Sequence, residues 1–447
     1  MRKCSHCKQR TIMFRIKQLC LLSSHINPRL SIASVTLLII SSCQLIPPAS
    51  STSKIPVESD VLEFPQHTDS TGNSIEAELA RLIVQDEQYP GIPIQLGFVR
   101  FRGKGDQTIF LLGDINHTAT ALASGPASDL IRELTQMGEV IAFDIRGSGV
   151  SSTLGPCPMA VKLPLSTPLT QQVYGTALKA WLNDCTEFFK QEGLILNQYA
   201  FNHTVSDVQH LISQLKAQPV SIIAYGKGAP VALAVAENQP DSVSALVLLN
   251  PEAEFTDLEK TLSNSPCSGL TSHLNQVDNL SIPVTFLTSV KQPLTLDITR
   301  DELKLIVTSM NQTGKTCSNL QKMLLRMSPT DSEIIGNKSI DLRGKLGRPN
   351  PAALAFYATF PTGRPTFEEA VARKIIHLPV YELSAPEPER SLLIGGAESL
   401  LPTTSELKKI AMKLQKSEIQ IVPGGGDIAY LNRKDVIERI TEFLHAD

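Results

Sequence analysis

The sequence predicts an α/β fold, a mostly parallel sheet flanked by helices, with an inserted and mainly helical segment. Three observations predict it. Short apolar runs alternate with amphipathic runs from about residue 76 to residue 251. That rhythm breaks over residues 252–375, and it resumes from residue 376 to the C-terminus. Strands alternating with helices build parallel sheets covered on both faces. The composition agrees: with 42% hydrophobic and 19% charged residues the chain can bury a core, and 447 residues suit one large core with an insertion, or two domains.

In order, residues 75–83 have helical spacing, and residues 92–102 alternate apolar and polar side chains as a strand does. Residues 108–112 (TIFLL) and 139–144 (EVIAFD) read as buried strands around an amphipathic helix at 127–137. After a long excursion come a helix at 203–215, a strand at 220–224, a helix at 231–237 and a strand at 245–249. The insertion holds helical patterns at 301–310, 317–327 and 352–359, separated by Pro- and Gly-rich joints. Strands at 391–394 and 418–422, with helices at 404–414 and 436–444, complete the core.

The N-terminus has a different character. Residues 1–42 hold seven Lys and Arg and no acid, and the rest of the chain carries 34 Lys and Arg against 44 Asp and Glu, a net charge of −10. A body that acidic excludes nucleic acid as a partner. The single tryptophan, Trp181, argues against an aromatic stacking platform. An apolar run at 30–40 follows the basic stretch; at 11 residues it is too short to span a bilayer and suits a signal peptide. Ile40-Ser41-Ser42-Cys43 then resembles a bacterial lipobox, which implies cleavage before Cys43 and its acylation. Two or more acyl chains hold a protein stably on a membrane. The alternative is an ordinary signal peptide with an incidental cysteine, and Met13 is an alternative start. Gln44 after the cysteine favours the outer membrane by resemblance to known sorting. The expected domains are a signal peptide at 1–42, a lipidated Cys43 with a Pro/Ser-rich tether to residue 75, core at 76–251, a helical cap at 252–375 and core at 376–447.

Cys4, Cys7 and Cys20 fall in the signal segment, where Cys4-x-x-Cys7 with His6 is better read as a feature of that segment than as a metal motif. Four cysteines follow Cys43. An even number in an exported chain predicts two disulfides. Of three pairings, Cys157–Cys185 and Cys267–Cys317 are favoured because each lies within one segment.

Several segments resemble the α/β-hydrolase fold family, nearest its proline iminopeptidase and tripeptidyl-aminopeptidase-like branch. Residues 143–151 (FDIRGSGVS) resemble the segment after a central strand in that branch, and residues 222–251 resemble its nucleophile strand, elbow, helix and next strand. The 157–185 cysteine pair also fits. The resemblance implies a Ser-Asp-His triad with the serine in Gly-x-Ser-x-Gly on a sharp strand-to-helix turn. Here the matching run is Gly226-Lys227-Gly228-Ala229-Pro230, with Gly228 at the serine position. Ser399 stands at the acid position, beside Glu398, and Asp427 at the base position. The oxyanion loop reads Gly113-Asp114-Ile115-Asn116-His117, and Asp114 brings negative charge where a donor is needed. None of the three triad positions holds the family's residue, and the segment at Asp144, Arg146 and Gly147 is expected to stabilise its loop.

The expected function is therefore a membrane-anchored, catalytically inactive hydrolase-fold lipoprotein of the cell envelope. It would bind a peptide, a lipid or a protein partner and need no cofactor or metal. The candidate pocket rim is Asp114, Asn116, His117 and Lys227. Two alternatives stay open. One is an active hydrolase or peptidase with a non-standard site, such as His117 with Asp114 and Asp427. The other is a structural envelope protein. His203 and His210 are expected to cap and pack their helix.

Overall fold

The computed structural model describes residues 58–60, 77–84, 93–151, 154–216, 219–252, 280–288, 291–309, 314–359, 390–396, 404–414, 416–424 and 430–446, with isolated positions between them. Cys43, Cys267, Glu398, Ser399 and Asp427 lie outside the described residues, and with Cys267 goes the expected Cys267–Cys317 bridge.

Nine strands among the described residues form one sheet: β1 (Glu58–Asp60), β2 (Ala77–Val84), β3 (Ile94–Phe101), β4 (Gln107–Leu112), β5 (Gly138–Phe143), β6 (Val220–Tyr225), β7 (Val243–Leu249), and β10 (Ser391–Gly396) and β11 (Ser417–Val422) beyond a separate hairpin. The spatial order is β1-β2-β3-β5-β4-β6-β7-β10-β11. The first three pairings are antiparallel and the remaining five parallel. Alternate residues of the central strands feed two separate cores. Phe110, Leu112, Ile222, Ala224, Leu246 and Leu248 face one, while Ile109, Leu111, Ile223, Tyr225, Val247 and Leu249 face the other. Both faces are dry, which is why these strands read as continuous apolar runs.

Helices α1 (Ala119–Ala123) and α2 (Ser128–Met137) follow β4; α3 (Gln171–Gln191) and α4 (Phe201–Leu215) follow β5; α5 (Ala229–Asn238) follows β6. Every residue of α5 from Ala229 to Ala236 is buried, and Pro230 occupies its first turn, where its missing N–H costs nothing. Four further helices, α6 (Arg300–Ser309), α7 (Gly314–Arg326), α8 (Pro329–Leu346) and α9 (Pro351–Ala358), belong to the segment expected to be a cap. Helices α10 (Thr404–Met412) and α11 (Lys434–His445) flank the last strand.

One expectation needs correction, and two regions hold elements the sequence did not specify. Of residues 75–83, expected to be helical, those described are not: Ala77–Val84 is strand β2, in antiparallel register with β3 from Ala77↔Phe101 to Val84↔Ile94. A short apolar run fits either period, and here pairing with the neighbouring strand decides. The inserted segment also holds a hairpin beside its helices. Strands β8 (Ser281–Leu287) and β9 (Pro293–Thr299) form an antiparallel hairpin that packs Val284, Phe286, Leu296 and Ile298 into a core of its own. The excursion after β5 contains the 21-residue α3, whose Tyr174, Leu178, Trp181 and Cys185 build another core with Leu342, Leu354 and Ala355. Cys157 and Cys185 are bonded as expected, with Cα atoms 5.8 Å apart.

Candidate functional site

Parallel sheets gather their functional loops at the C-terminal ends of the strands. Here β4, β5, β6 and β7 deliver four such loops. The loop after β5 is built from buried charge. The Asp144 carboxylate accepts the Thr120 and Val150 amides, each at 2.9 Å, and the Thr120 hydroxyl. Burial raises the Asp144 pKa, and these hydrogen bonds offset only part of the rise. Arg146 donates two hydrogen bonds to Asp207 on α4, at 2.6 and 2.5 Å, and a third to the Gln198 carbonyl. Gly149 adopts φ +50°, where an added Cβ would strike the Asp144 carboxylate. No partner is left over for a ligand in this set, so the loop is architectural.

The loop after β6 is the opposite. Strand β6 ends at Tyr225, Gly226 takes φ +56°, and a single 3-10 turn over Gly226–Gly228 leads into α5. The vertex of the strand-to-helix turn is therefore Gly226. Gly228 is helical, with φ −73° and ψ −23°, which corrects its expected place as the nucleophile position. Gly228 has another duty: a Cβ there would lie 2.6 Å from the Gly113 carbonyl oxygen, so it lets the β4 and β6 loops touch backbone to backbone. The two assignments differ by two residues, because the turn begins immediately after the strand. Neither supplies a hydroxyl, thiol or carboxylate at the vertex.

The loop after β4 closes over this vertex. Asp114 is 4% exposed, and its Oδ1 accepts the amides of Asn116 and His117, both at 2.7 Å. Its own N–H donates to the His117 carbonyl at 3.0 Å. Three loop amides are thus turned inward. The His117 Nδ1 lies 3.6 Å from Asp114 Oδ1, and its ring meets Tyr225 edge-on at 5.4 Å. Burial pushes the Asp114 pKa up, but hydrogen bonds from His117 and Asn116 and the His117 charge outweigh it, leaving the carboxyl below its ordinary value. Asp114 Oδ2 points at the vertex, 3.0 Å from where a Gly226 Cβ would be.

From the other side, Asn250 at the end of β7 adopts φ +43°, and its side-chain oxygen accepts the Gly396 amide at 3.1 Å, tying β7 to β10. Two residues on, the Glu252 amide donates to the Gly226 carbonyl at 3.0 Å, and Glu252 Oε1 is 4.0 Å from the same Cβ position. Lys227 is directed over the Tyr357 ring of α9, with Nζ 4.0 Å from the centroid.

Of the expected rim, the structure joins Asp114, Asn116 and His117 in one loop beside the vertex, while Lys227 turns to Tyr357. Gly226, Glu252 and Tyr357 were missed by sequence reasoning. The end of the apolar run at Tyr225 is the signal that could have placed Gly226, and Asn250-Pro251-Glu252 at a strand end could have suggested Glu252. Among the described residues no three His, Cys, Asp or Glu side chains converge as a metal would require, and no helix is long and apolar enough to cross a membrane.

Residues 119–272, from α1 to beyond β7, match the family model of the alpha/beta hydrolase fold. With the sheet described above, that decides the architecture. The chain has the α/β-hydrolase fold. No curated protein matches it. Among solved structures it resembles a hydrolase from Pseudomonas aeruginosa at 14% identity, covering 82% of this chain and 98% of that one with a TM-score of 0.39. A serine hydrolase from a Cycloclasticus bacterium is similar at 11% identity, covering 83% and 100%, with a TM-score of 0.41. Potato (Solanum tuberosum) epoxide hydrolase I is similar at 15% identity, covering 83% and 100%, also at 0.41. Likeness at this level transfers no residue roles.

Proposed function

We propose that this α/β-hydrolase-fold chain is a lipid-anchored envelope protein that binds a ligand at the mouth of its sheet and does not cleave it through an acyl-enzyme. The single observation that carries the reading is the vertex. In this fold the nucleophile occupies the strained residue between strand and helix. Here that residue is Gly226, with φ +56° and no side chain. The surrounding charge agrees: Asp114 presents a carboxylate oxygen to the place where an oxyanion would need donors, and the loop amides are engaged with that same residue. The lipobox-like Cys43 supports the anchor, and the ligand is a peptide, a lipid or a partner protein. Descent from the proline iminopeptidase-like branch accounts for the preserved loop at 143–151.

One observation favours a second reading, an active hydrolase with a non-standard site. His117 stands beside a buried Asp114 that stays ionised, an arrangement suited to orienting an imidazole as a general base for water. Turnover of short-chain esters and aminoacyl amides separates the two. The first reading expects no turnover above the rate without protein. Turnover that survives Gly226→Ala and disappears in His117→Gln, with the protein still folded, would replace it with the second. The anchor is tested by intact mass: acylation at Cys43, abolished by Cys43→Ala, is expected.

A further inference from the structure

We infer that the outward face of α10 rests on an anionic lipid surface. The inference builds on the anchored reading above: an anchor brings the chain to a bilayer, and this face is the side of the body that meets it. Helix α10 buries Glu406, Leu407 and Ile410, and Leu407, Ile410 and Leu414 join the core on one face of the sheet. The helical repeat therefore turns Lys408, Lys409, Met412 and Lys413 outward, all of them exposed. Exposed Lys416 continues that face to the start of β11, and its carbonyl accepts the Ser391 amide at 2.8 Å, which fixes its backbone against β10.

Two observations carry the inference. The first is charge without a partner. Lys408, Lys409 and Lys416 form no ion pair among the described residues. Glu406 is the only acid between residues 404 and 416 and is 8% exposed, while Glu418 is taken by Arg439. Helix α11, with Asp435, Glu438 and Glu442, packs on the opposite face of the sheet, where Val436, Ile437 and Ile440 join the other core. This basic face belongs to a body whose net charge beyond residue 42 is −10. The second observation is Met412. It is 78% exposed, more than any other large apolar side chain among the described residues, and it lies between the lysines.

At a bilayer, lysines keep their ammonium groups among the headgroups while their stems and an apolar neighbour reach the acyl boundary. That pairing of charge and methionine fits anionic lipid better than nucleic acid, whose phosphates offer a methionine nothing to pack on. Each lysine near an anionic leaflet strengthens binding about fivefold, so the three unpaired lysines together give about a hundredfold over a neutral bilayer. Salt screens the attraction.

The test is a footprint of the full chain reconstituted with phosphatidylcholine vesicles, or with vesicles in which about one-third of the lipid is phosphatidylglycerol. Lysine acetylation and hydroxyl-radical oxidation are read by peptide mass. Acetylation at Lys408, Lys409 and Lys416 and oxidation at Met412 should fall at least about fivefold on the anionic vesicles only, and recover in about 0.5 M salt. Exposed Lys179 on α3 and Lys338 on α8 should keep their rates. Combining Lys408→Gln, Lys409→Gln and Lys416→Gln changes only exposed side chains and should remove the protection of Met412. Equal footprints on the two vesicles, or protection spread evenly over all exposed lysines, overturns the inference. So does protection by soluble polyglutamate or duplex DNA in the absence of protection by vesicles, which would make the occupant an acidic polypeptide or a nucleic acid. Flotation with the neutral vesicles tests the anchor separately. A chain that fails to float there but shows the anionic footprint keeps this inference and loses the anchor, whereas a floating chain without the footprint keeps the anchor and overturns this inference.

Discussion

The loops after β5 and β6 leave the two strands that flank β4 in one sheet, and they have opposite contents. The β5 loop is crowded with buried charge: Asp144 is 1% exposed, Arg146 4% and Asp207 3%, and each is hydrogen-bonded. The β6 loop consists of Gly226, Lys227 and Gly228, and its vertex carries no side chain. The contrast separates two demands on a hydrolase fold. The polar groups of the β5 loop are each engaged in hydrogen bonds, whereas the residue at the turn after β6 carries no side chain. Glycine at the vertex adopts the positive φ without the steric strain a side chain would bring.

That contrast can be broken by substitution. The largest expected effect is at the β5 loop. Asp207→Ala strands the Arg146 guanidinium in the core and should cost about 3–5 kcal/mol in chemical denaturation, because breaking a buried pair leaves an uncompensated charge. A loss under about 1 kcal/mol would show that this loop is not what braces α4. Next comes the pair of glycines. Gly228→Ala drives a Cβ to 2.6 Å from the Gly113 carbonyl oxygen and should cost about 1–3 kcal/mol by overpacking. Gly226→Ala meets no backbone so closely, and should cost only the positive-φ penalty of about 1–2 kcal/mol. If the two costs were reversed, Gly228 and not Gly226 would be the vertex.

The smallest effect concerns pH. The Asp114 carboxyl is lowered in the folded protein, so its contribution to stability is fully present above the ordinary carboxylate range and is lost as pH falls through the folded value. Asp114→Asn removes that contribution. Between pH 6 and about pH 3, the wild-type urea midpoint should therefore fall further than that of the variant. Parallel declines would mean that the His117 side chain and the loop amides do not hold Asp114 ionised.

Much of this architecture was legible in the sequence because both faces of the central sheet are dry. Residues 108–112, 139–144, 220–224 and 245–249 read as strands on apolar content alone, and the structure moves their ends by no more than two residues. Pairing partners were not legible. Residues 77–84 have a helix-compatible pattern and become strand β2 only because β3 offers eight residues in register. The β8–β9 hairpin was likewise hidden, since its alternation is short and its buried side chains pack against the helices of the same inserted segment. At the site, the residue types of the vertex loop were readable, but the position of the vertex depended on where β6 ends, which spacing alone placed two residues too late. Glu252 was assigned to the insertion because only the fold brings the end of β7 beside the end of β6.

The central claim is that the β6 vertex forms no covalent intermediate. Its most direct test is intact-mass analysis of the folded full chain after incubation with a fluorophosphonate probe. The account predicts no mass increase on the wild type under conditions that fully label a serine hydrolase run alongside. A single phosphonyl adduct, mapped to any residue at the mouth of the sheet, would contradict it.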